Sequence, residues 1–431
     1  MIVHQPLAGN GSITARVTSL TGPAGQGGLR SGSKAGVIIK ASTRPGSAYA
    51  AMIVTAGHGV RMQYNYTGDI AGPAGAVSAA SPRWLRLTRS GDTLTGYESA
   101  GGTRWSVVGT VRLAGLPATV QAGLLAASLG SSETTSQSIT GSSASGGLTS
   151  ATAVFDHVSV QAKRLGGTRA GGEVGGSGGD FRSPGTGFHQ AEGTVTVTGT
   201  GDIAPDVPGV QSGGGSAIER TLLGAFGGLV AVIVVATMFM TAEYRRGLIR
   251  VTFTAIPGRG RVLAAKAVVI GSVTFIAGLA GAAAAVPLGE RLLHSNGNFI
   301  LPVSALTEVR LVVGTAALLA VTAVLALALG ALLRSSAAVV TALIAATVLP
   351  YLLATQIPAL PAGAADWLLR VTPAAAFAIQ QSVPPYPQVS ASYTPVNGYF
   401  PLVPWAGFAV LCGYAALALG LAVILLRRRD A

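Results

Sequence analysis

Charge is scarce in this chain of 431 residues: only 10% are Asp, Glu, Lys or Arg. Soluble domains average about 25%, so an ordinary water-facing surface is excluded for much of the length. Cysteine is nearly absent. Cys412 stands alone in an apolar run, which excludes an intrachain disulfide and any Cys/His cluster at metal-ligand spacing. It reads as a small buried hydrophobe. No GxxxxGK[ST] phosphate loop occurs; the glycines of "GQGGLRSGSKAG" lack the Gly-Lys-Ser/Thr order and read as turn. Acidic residues are missing from the interior of every long apolar run. That absence argues against a carrier driven by protons or sodium, which relies on intramembrane ionisable groups.

What is present is a net charge of +13, 60 glycines and a mean hydropathy of +0.53. A pI near 10.5 suits nucleic acid. Yet most cations of the C-terminal half stand beside apolar runs, where they act as topology signals. The lipid bilayer, not nucleic acid, is the expected partner.

Residues 1–163 read as strands. "GSITARVTSL", "KAGVIIKAS", "YAAMIVTAG", "GVRMQYNYTG", "RWLRLTRSGDTLTGYES" and "FDHVSVQAK" are short alternating segments with Gly, Ser, Asn and Asp between them. Such regular spacing predicts an all-β sandwich. Residues 164–217, with "LGGTRAGGEVGGSGGDFRSPGTG", read as a Gly/Ser linker that would isolate the sandwich mechanically, and "EGTVTVTGTGD" adds one possible short strand. From residue 218 the chain reads as an all-α polytopic membrane bundle. Five runs, near 218–241, 263–288, 309–333, 337–357 and 404–426, can cross hydrocarbon about 30 Å thick. Pro350 interrupts the fourth, where a kink is tolerable if neighbouring helices shield the freed carbonyl.

Lys/Arg asymmetry orients the bundle. Six cations follow the first run, Arg334 follows the third, and Arg427, Arg428 and Arg429 close the chain, all on one side. That side is expected to be cytoplasmic, with the sandwich and the 358–403 loop outside a plasma membrane. In "AEYRRGLIRVTFTAIPGRGRVLAAKA", Glu243, Arg246 and Arg250 share one helical face, and Tyr244 and Leu248 take the adjoining one. This amphipathic order suits a membrane-surface elbow, broken at Pro257–Gly258 before the chain re-enters lipid.

That same stretch resembles the segment after the first cytoplasm-directed helix of actinobacterial ABC-2 type transporter permeases. There a Glu-Tyr-Arg-x-Gly start leads to a Pro-x-Arg stretch and a Lys-containing helix. The resemblance spans about 218–431, including "WLLRVTPAAAFAIQQS" and the "RRRDA" end. It implies a permease subunit whose elbow docks on a separate ATPase subunit, with ATP and Mg bound by that partner and none by this chain. It also implies a second permease subunit, as a homo- or heterodimer. Carried over by position, Glu243, Tyr244, Arg245, Arg246, Gly247, Arg250, Pro257, Arg259 and Arg261 fall in the coupling elbow. The family's usual permease has six spans against five here, so an additional helix is expected upstream of Met1.

Residues 1–163 resemble the concanavalin A-like sandwich of glucanase and lectin-type domains in "WLRLTRSGDTLTGYESAGGTRW". Relatives read Tyr-Ser-x-Asp-Gly-x-x-Trp at its end; here an insertion and a missing Asp intervene. Asp69, Asp92, Glu98 and Asp156 are scattered singly, whereas glycoside hydrolysis needs two carboxylates facing each other. Catalytic, cofactor-binding and metal residues are therefore expected to be absent. Tyr64, Tyr66, Trp84 and Trp105 are candidates for stacking on an extracellular ligand, a glycan or a peptide. Two other readings use the same features: a membrane-anchored carbohydrate-binding or sensor protein, and a membrane-bound glycan hydrolase.

Overall fold

The computed structural model describes residues 1–23, 28–44, 46–128, 131–136, 142–147, 149–165, 169–172, 186–201, 203, 215–245, 259–296, 298–356, 362–386, 393, 395 and 398–428. The strands are β1 (Ile2–Thr21), β2 (Lys34–Lys40), β3 (Tyr49–Thr55), β4 (Gly59–Tyr64), β5 (Gly68–Ala71), β6 (Arg83–Ser90), β7 (Thr93–Ser99), β8 (Ser106–Arg112), β9 (Thr119–Ala127), β10 (Ser131–Ser136), β11 (Ser142–Gly147), β12 (Ser150–Leu165), β13 (Ala170–Gly172), β14 (Gly187–Ala191), β15 (Thr194–Thr200), β16 (Gly215–Ser216) and β17 (Phe299–Ile300).

Thirteen strands form an antiparallel sandwich in which β1 serves both layers. Residues 2–8 of β1 pair with β9, in a layer that runs on through β2, β3, β4 and β5. Residues 11–17 pair with β6, in a layer that runs on to β7 and β8. The change of partner falls at Gly9, whose φ of +72° gives the bulge that lets one strand bend between layers. Leu85, Leu87 and Leu94 from one layer meet Val37, Met52 and Val54 from the other in the core.

The sandwich extends past residue 163. β12 reaches Leu165, β13 pairs with β1, and β15 pairs with β12 and puts Val195 and Val197 into the core. Residues 170–172 and 187–200 are thus sheet, not linker. The alternation in "TVTVTGT" is what seats β15, with threonines out and valines in.

Among the described residues seven α-helices follow: α1 (Ala225–Arg245), α2 (Arg259–Ser295), α3 (Ala305–Leu333), α4 (Ser336–Leu343), α5 (Leu349–Gln356), α6 (Ala362–Val371) and α7 (Pro404–Arg428). Among the described residues five helical stretches are long and apolar enough to cross a membrane: Ile218–Tyr244, Gly260–Ser295, Ala305–Leu333, Ser336–Thr355 and Pro404–Leu426. The third, α3, is the central one, with 67% of its most apolar window buried against 22–28% for the others. In the fourth, a π turn at Ile344–Val348 joins α4 to α5 just before Pro350. Proline lacks the N–H that would continue the ladder, and the wider turn absorbs the mismatch.

The 358–403 segment is not simply an outside loop. After α6, the 3₁₀ stretch Pro373–Gln380 buries residues 373–379 against α3 and α7. Gly407 makes room for this: a Cβ there would lie 2.2 Å from the Ala375 carbonyl oxygen.

The sandwich is also not mechanically isolated. The outer face of the β9–β2–β3 layer carries Ile2, Ile38, Tyr49, Ala51, Ile53 and Leu125, and it packs on Phe299, Leu301 and Val383. β16 pairs in parallel with β17, and Tyr386 Oη donates to the Thr67 carbonyl at 2.8 Å. Thr67 Oγ1 in turn donates to the Pro302 carbonyl at 3.1 Å. Apolar contact and hydrogen bonds together fasten the sandwich to the segments flanking α3 and following Gln380.

Candidate functional site

At one end of the bundle, α1 runs out into the cationic stretch and α2 returns from it. The Glu243 carboxylate pairs with the Lys266 ammonium, whose Nζ lies 5.5 Å from the Phe239 ring centroid. Tyr244 Oη donates to the Ala331 carbonyl at 3.5 Å, and the Arg334 guanidinium lies 5.1 Å over its ring. Arg334 closes α3 in a left-handed conformation, φ +55°, with its N–H on the Gly330 carbonyl. Met240, Leu263, Ala267, Leu327 and Leu426 pack beneath. The ends of α1, α2 and α3 are therefore drawn together by an ion pair, two cation–ring contacts and a hydrogen bond over an apolar cluster. Of the predicted elbow residues, Glu243 and Tyr244 are engaged within the bundle, and Arg261 is exposed. Arg246, Gly247, Arg250 and Pro257 lie outside the described residues, as do the side chains of Arg245 and Arg259. Lys266 and Arg334 join this cluster although sequence reading assigned them no contact. Their pairing depends on the helix hairpin, which spacing alone does not reveal.

At the sandwich end sits a polar knot that sequence reading missed. Ser382 Oγ donates to the Glu219 carboxylate, and Arg310 donates to the Gln381 carbonyl. Gln380 Nε2 donates to Thr315 Oγ1 at 3.1 Å, and the Phe400 N–H donates to Gln381 Oε1 at 3.1 Å. The rings of Phe226, Tyr351 and Phe377 meet beside it with centroids 4.5–4.8 Å apart. Below lies a cleft of about 540 Å³ between α1, α2 and α3, lined by small residues such as Gly224, Gly228, Ala231 and Gly278 and touched by Thr315. The legible signal was "AIERT", a carboxylate set directly ahead of an apolar run.

The four candidate stacking rings have separate fates. Tyr66 is 5% exposed, meets Phe299 in a tilted ring contact with centroids 4.7 Å apart, and donates from Oη to the Ser47 carbonyl. It therefore belongs to the sandwich–bundle junction, not to a ligand surface. Tyr64 packs against the sandwich core and over Gly68. Trp84 and Trp105 do stand on the outer face of the β6 layer. Trp84 lies 5.1 Å from the His157 ring and 5.7 Å from the Arg16 guanidinium, while Arg86 stacks on Trp105 at 3.9 Å.

The sandwich carboxylates are engaged one by one. Asp69 pairs with Arg61 at 2.7 Å, Glu98 with Arg83 at 3.6 Å, and Asp156 with Arg16. Asp92 accepts from the Gly115 N–H at 3.2 Å. The hydrogen bond from Arg16 holds the Asp156 carboxyl below the usual carboxylate range, with burial acting against it. A carboxylate committed to a guanidinium is a poor general acid. Among the described residues no group of three or more His, Cys, Asp or Glu gathers as a metal site.

The fold and these ends define a two-part protein: an antiparallel β-sandwich fastened to a helical region with five membrane-length helices. No family model matches the chain. No curated protein matches it either. Solved structures align weakly with it. A scytalido-glutamic peptidase is 9% identical over 46% of this chain and 97% of its own, with a TM-score of 0.29. A functionally unknown protein from Saccharomyces cerevisiae is 14% identical over 37% and 74%, with a TM-score of 0.24. A GH43 protein from Bacillus licheniformis is 18% identical over 27% and 24%, with a TM-score of 0.20. At such TM-scores these likenesses carry no argument about activity.

Proposed function

We propose that this chain is the membrane-spanning permease subunit of an ABC transporter of the ABC-2 type, with the sandwich as an extracellular binding or accessory domain. ATP and Mg would be bound by a separate ATPase subunit, and a second permease subunit would complete the pore. The observation that carries the reading is the cluster of Glu243, Tyr244, Lys266 and Arg334, which ties together three helix ends, two of them adjoining the cationic stretch in sequence. A mere anchor needs one helix and no such fastening. A subunit that receives force from an ATPase needs the elbow rigidly joined to several helices at once. The excess of Lys and Arg at this end makes it the cytoplasmic one, which leaves the sandwich outside the plasma membrane.

A sensor or carbohydrate-binding protein held by its helices is the second reading, favoured by the tight seat of the sandwich on the bundle. Co-purification with an ATPase subunit separates the two. Truncating one partner of a charged, partly desolvated contact costs about 2–5 kcal/mol. Glu243→Gln and the pair Arg245→Lys/Arg246→Lys are expected to leave membrane insertion intact and to reduce ATPase association and membrane-stimulated ATP turnover in reconstituted vesicles. Wild-type association and turnover in both variants would reduce the stretch to a topological anchor.

A further inference from the structure

Among the described residues no helix packs on one face of the sandwich. The β9–β2–β3 layer turns its outer face to the bundle, so the outer face of the β1–β6–β7–β8 layer points the opposite way. Registers place its side chains in rows across the strands. One row reads Ser12, Thr88, Thr95 and Thr110, and Thr95 and Thr110 share a hydroxyl–hydroxyl hydrogen bond at 3.1 Å. The next reads Thr14, Arg86 and Tyr97, and the next Asp156, Arg16 and Trp84. Arg112 lies opposite Thr93 at the far edge, exposed, and Arg104 is exposed beside Trp105.

Two features of this face call for a ligand. The first is charge. Arg16, Arg86 and Arg112 stand there by register, with exposed Arg104 next to Trp105 in the chain, and among the described residues the one carboxylate in these rows is Asp156, which Arg16 occupies. The bias extends beyond the face: thirteen Lys and Arg against five acidic residues leave residues 1–165 at a formal +8. The second is the preparation of Arg86. Its guanidinium is stacked 3.9 Å from the Trp105 ring and donates from Nε to Thr14 Oγ1 at 3.1 Å. Among the described residues no carboxylate pairs with it. Fixed by a ring on one side and a hydroxyl at Nε, the planar fork keeps its terminal N–H groups for a bidentate acceptor.

We propose that this face binds an acidic polysaccharide, with Arg86 taking a carboxylate, Trp84 and Trp105 offering ring surfaces to sugars, and the Ser/Thr row meeting hydroxyls. A folded protein partner fits less well, because stable protein interfaces have an apolar centre, and this face has polar rows where that centre would be. The proposal rests on the permease reading only in placing the face outside the cell; the site itself does not depend on an ATPase.

The full chain in lipid nanodiscs, without any ATPase, is titrated with polygalacturonate, neutral dextran and poly-glutamate. Tryptophan fluorescence and calorimetry report binding. Polygalacturonate is expected to bind and to weaken with added salt, and dextran is expected to bind far less. Arg86→Lys, which keeps the charge but not the fork, and Trp105→Ala are each expected to weaken polygalacturonate roughly tenfold. Equal binding of dextran, tighter binding of poly-glutamate, or unchanged affinity in both variants would overturn the proposal. Labelled polygalacturonate on intact cells tests sidedness separately. Binding to nanodiscs but not to cells keeps the site and refutes the outward placement.

Discussion

Lys40 is the residue on which the sandwich–bundle junction turns. It is 2% exposed, donates from Nζ to the Ser47 carbonyl at 2.7 Å and to Tyr66 Oη at 2.8 Å, and lies 5.4 and 5.3 Å from the Tyr49 and Tyr66 rings. Among the described residues no carboxylate pairs with it, and burial brings its pKa down to about 7. The sign follows from proton counting. Between about pH 7 and the unfolded lysine value near 10.4, the unfolded chain holds a proton that the folded chain has released. Stability therefore rises with pH across that window, by up to about 1.4 kcal/mol per unit, and is flat below it with respect to this group. Thermal unfolding of the full chain in detergent, measured from pH 6 to 9.5, should show the rise above pH 7 in the wild type. Lys40→Met should remove that rise while leaving the Tyr66-to-Ser47 hydrogen bond in place. Parallel curves for the two proteins would show that Lys40 does not titrate there. Tyr66 itself holds φ +65°, an uncommon conformation for a bulky residue; it places the ring on Phe299, and so the local cost is tied to docking.

At the scale of elements, β2 and β3 show what sequence could and could not disclose. Both are buried at every position, with core on one face and the bundle on the other. "AGVIIK" and "YAAMIVT" are nearly continuous apolar runs, the mark of a strand covered on both sides, yet their place among alternating segments hides that mark. By contrast β6 and β15 alternate cleanly, and their faces were legible. The helical spans were legible too, because length and hydropathy suffice for them, whereas the Glu243–Lys266 and Ser382–Glu219 contacts join residues whose approach depends on tertiary packing. The burial of β3 makes a direct prediction. Ile53 and Met52 point to opposite faces and both are 0% exposed, so Ile53→Ala and Met52→Ala should each destabilise the protein by about 2–5 kcal/mol. On an alternating strand with one face in solvent, only one of the two would matter. A silent Ile53→Ala in thermal unfolding of the full chain would mean that the bundle does not cover β3.

For the whole molecule, the consequence is that sandwich and bundle are separable in sequence but not in packing. A cut at residue 163 loses the end of β12 and all of β15, and with it Val195 and Val197 from the core. It also bares Ile2, Ile38, Tyr49, Ile53 and Leu125, which the segments around Phe299 and Val383 cover in the intact chain. Soluble monomers rarely expose contiguous apolar patches beyond a few hundred Å², and five such side chains on one flat sheet face make an adhesive surface. Residues 1–163 expressed alone should therefore aggregate. Residues 1–203 restore β15 and should be β-rich by circular dichroism, yet still self-associate through the bare face. Ile38→Thr together with Ile53→Thr in that longer fragment keeps β-branched side chains in the strands while removing much of the apolar surface. Sedimentation should then report a monomer with a cooperative melt. If 1–163 were instead monomeric and melted cooperatively, neither β15 nor the bundle would be needed to complete the sandwich, and its seat on the helices would be an incidental contact.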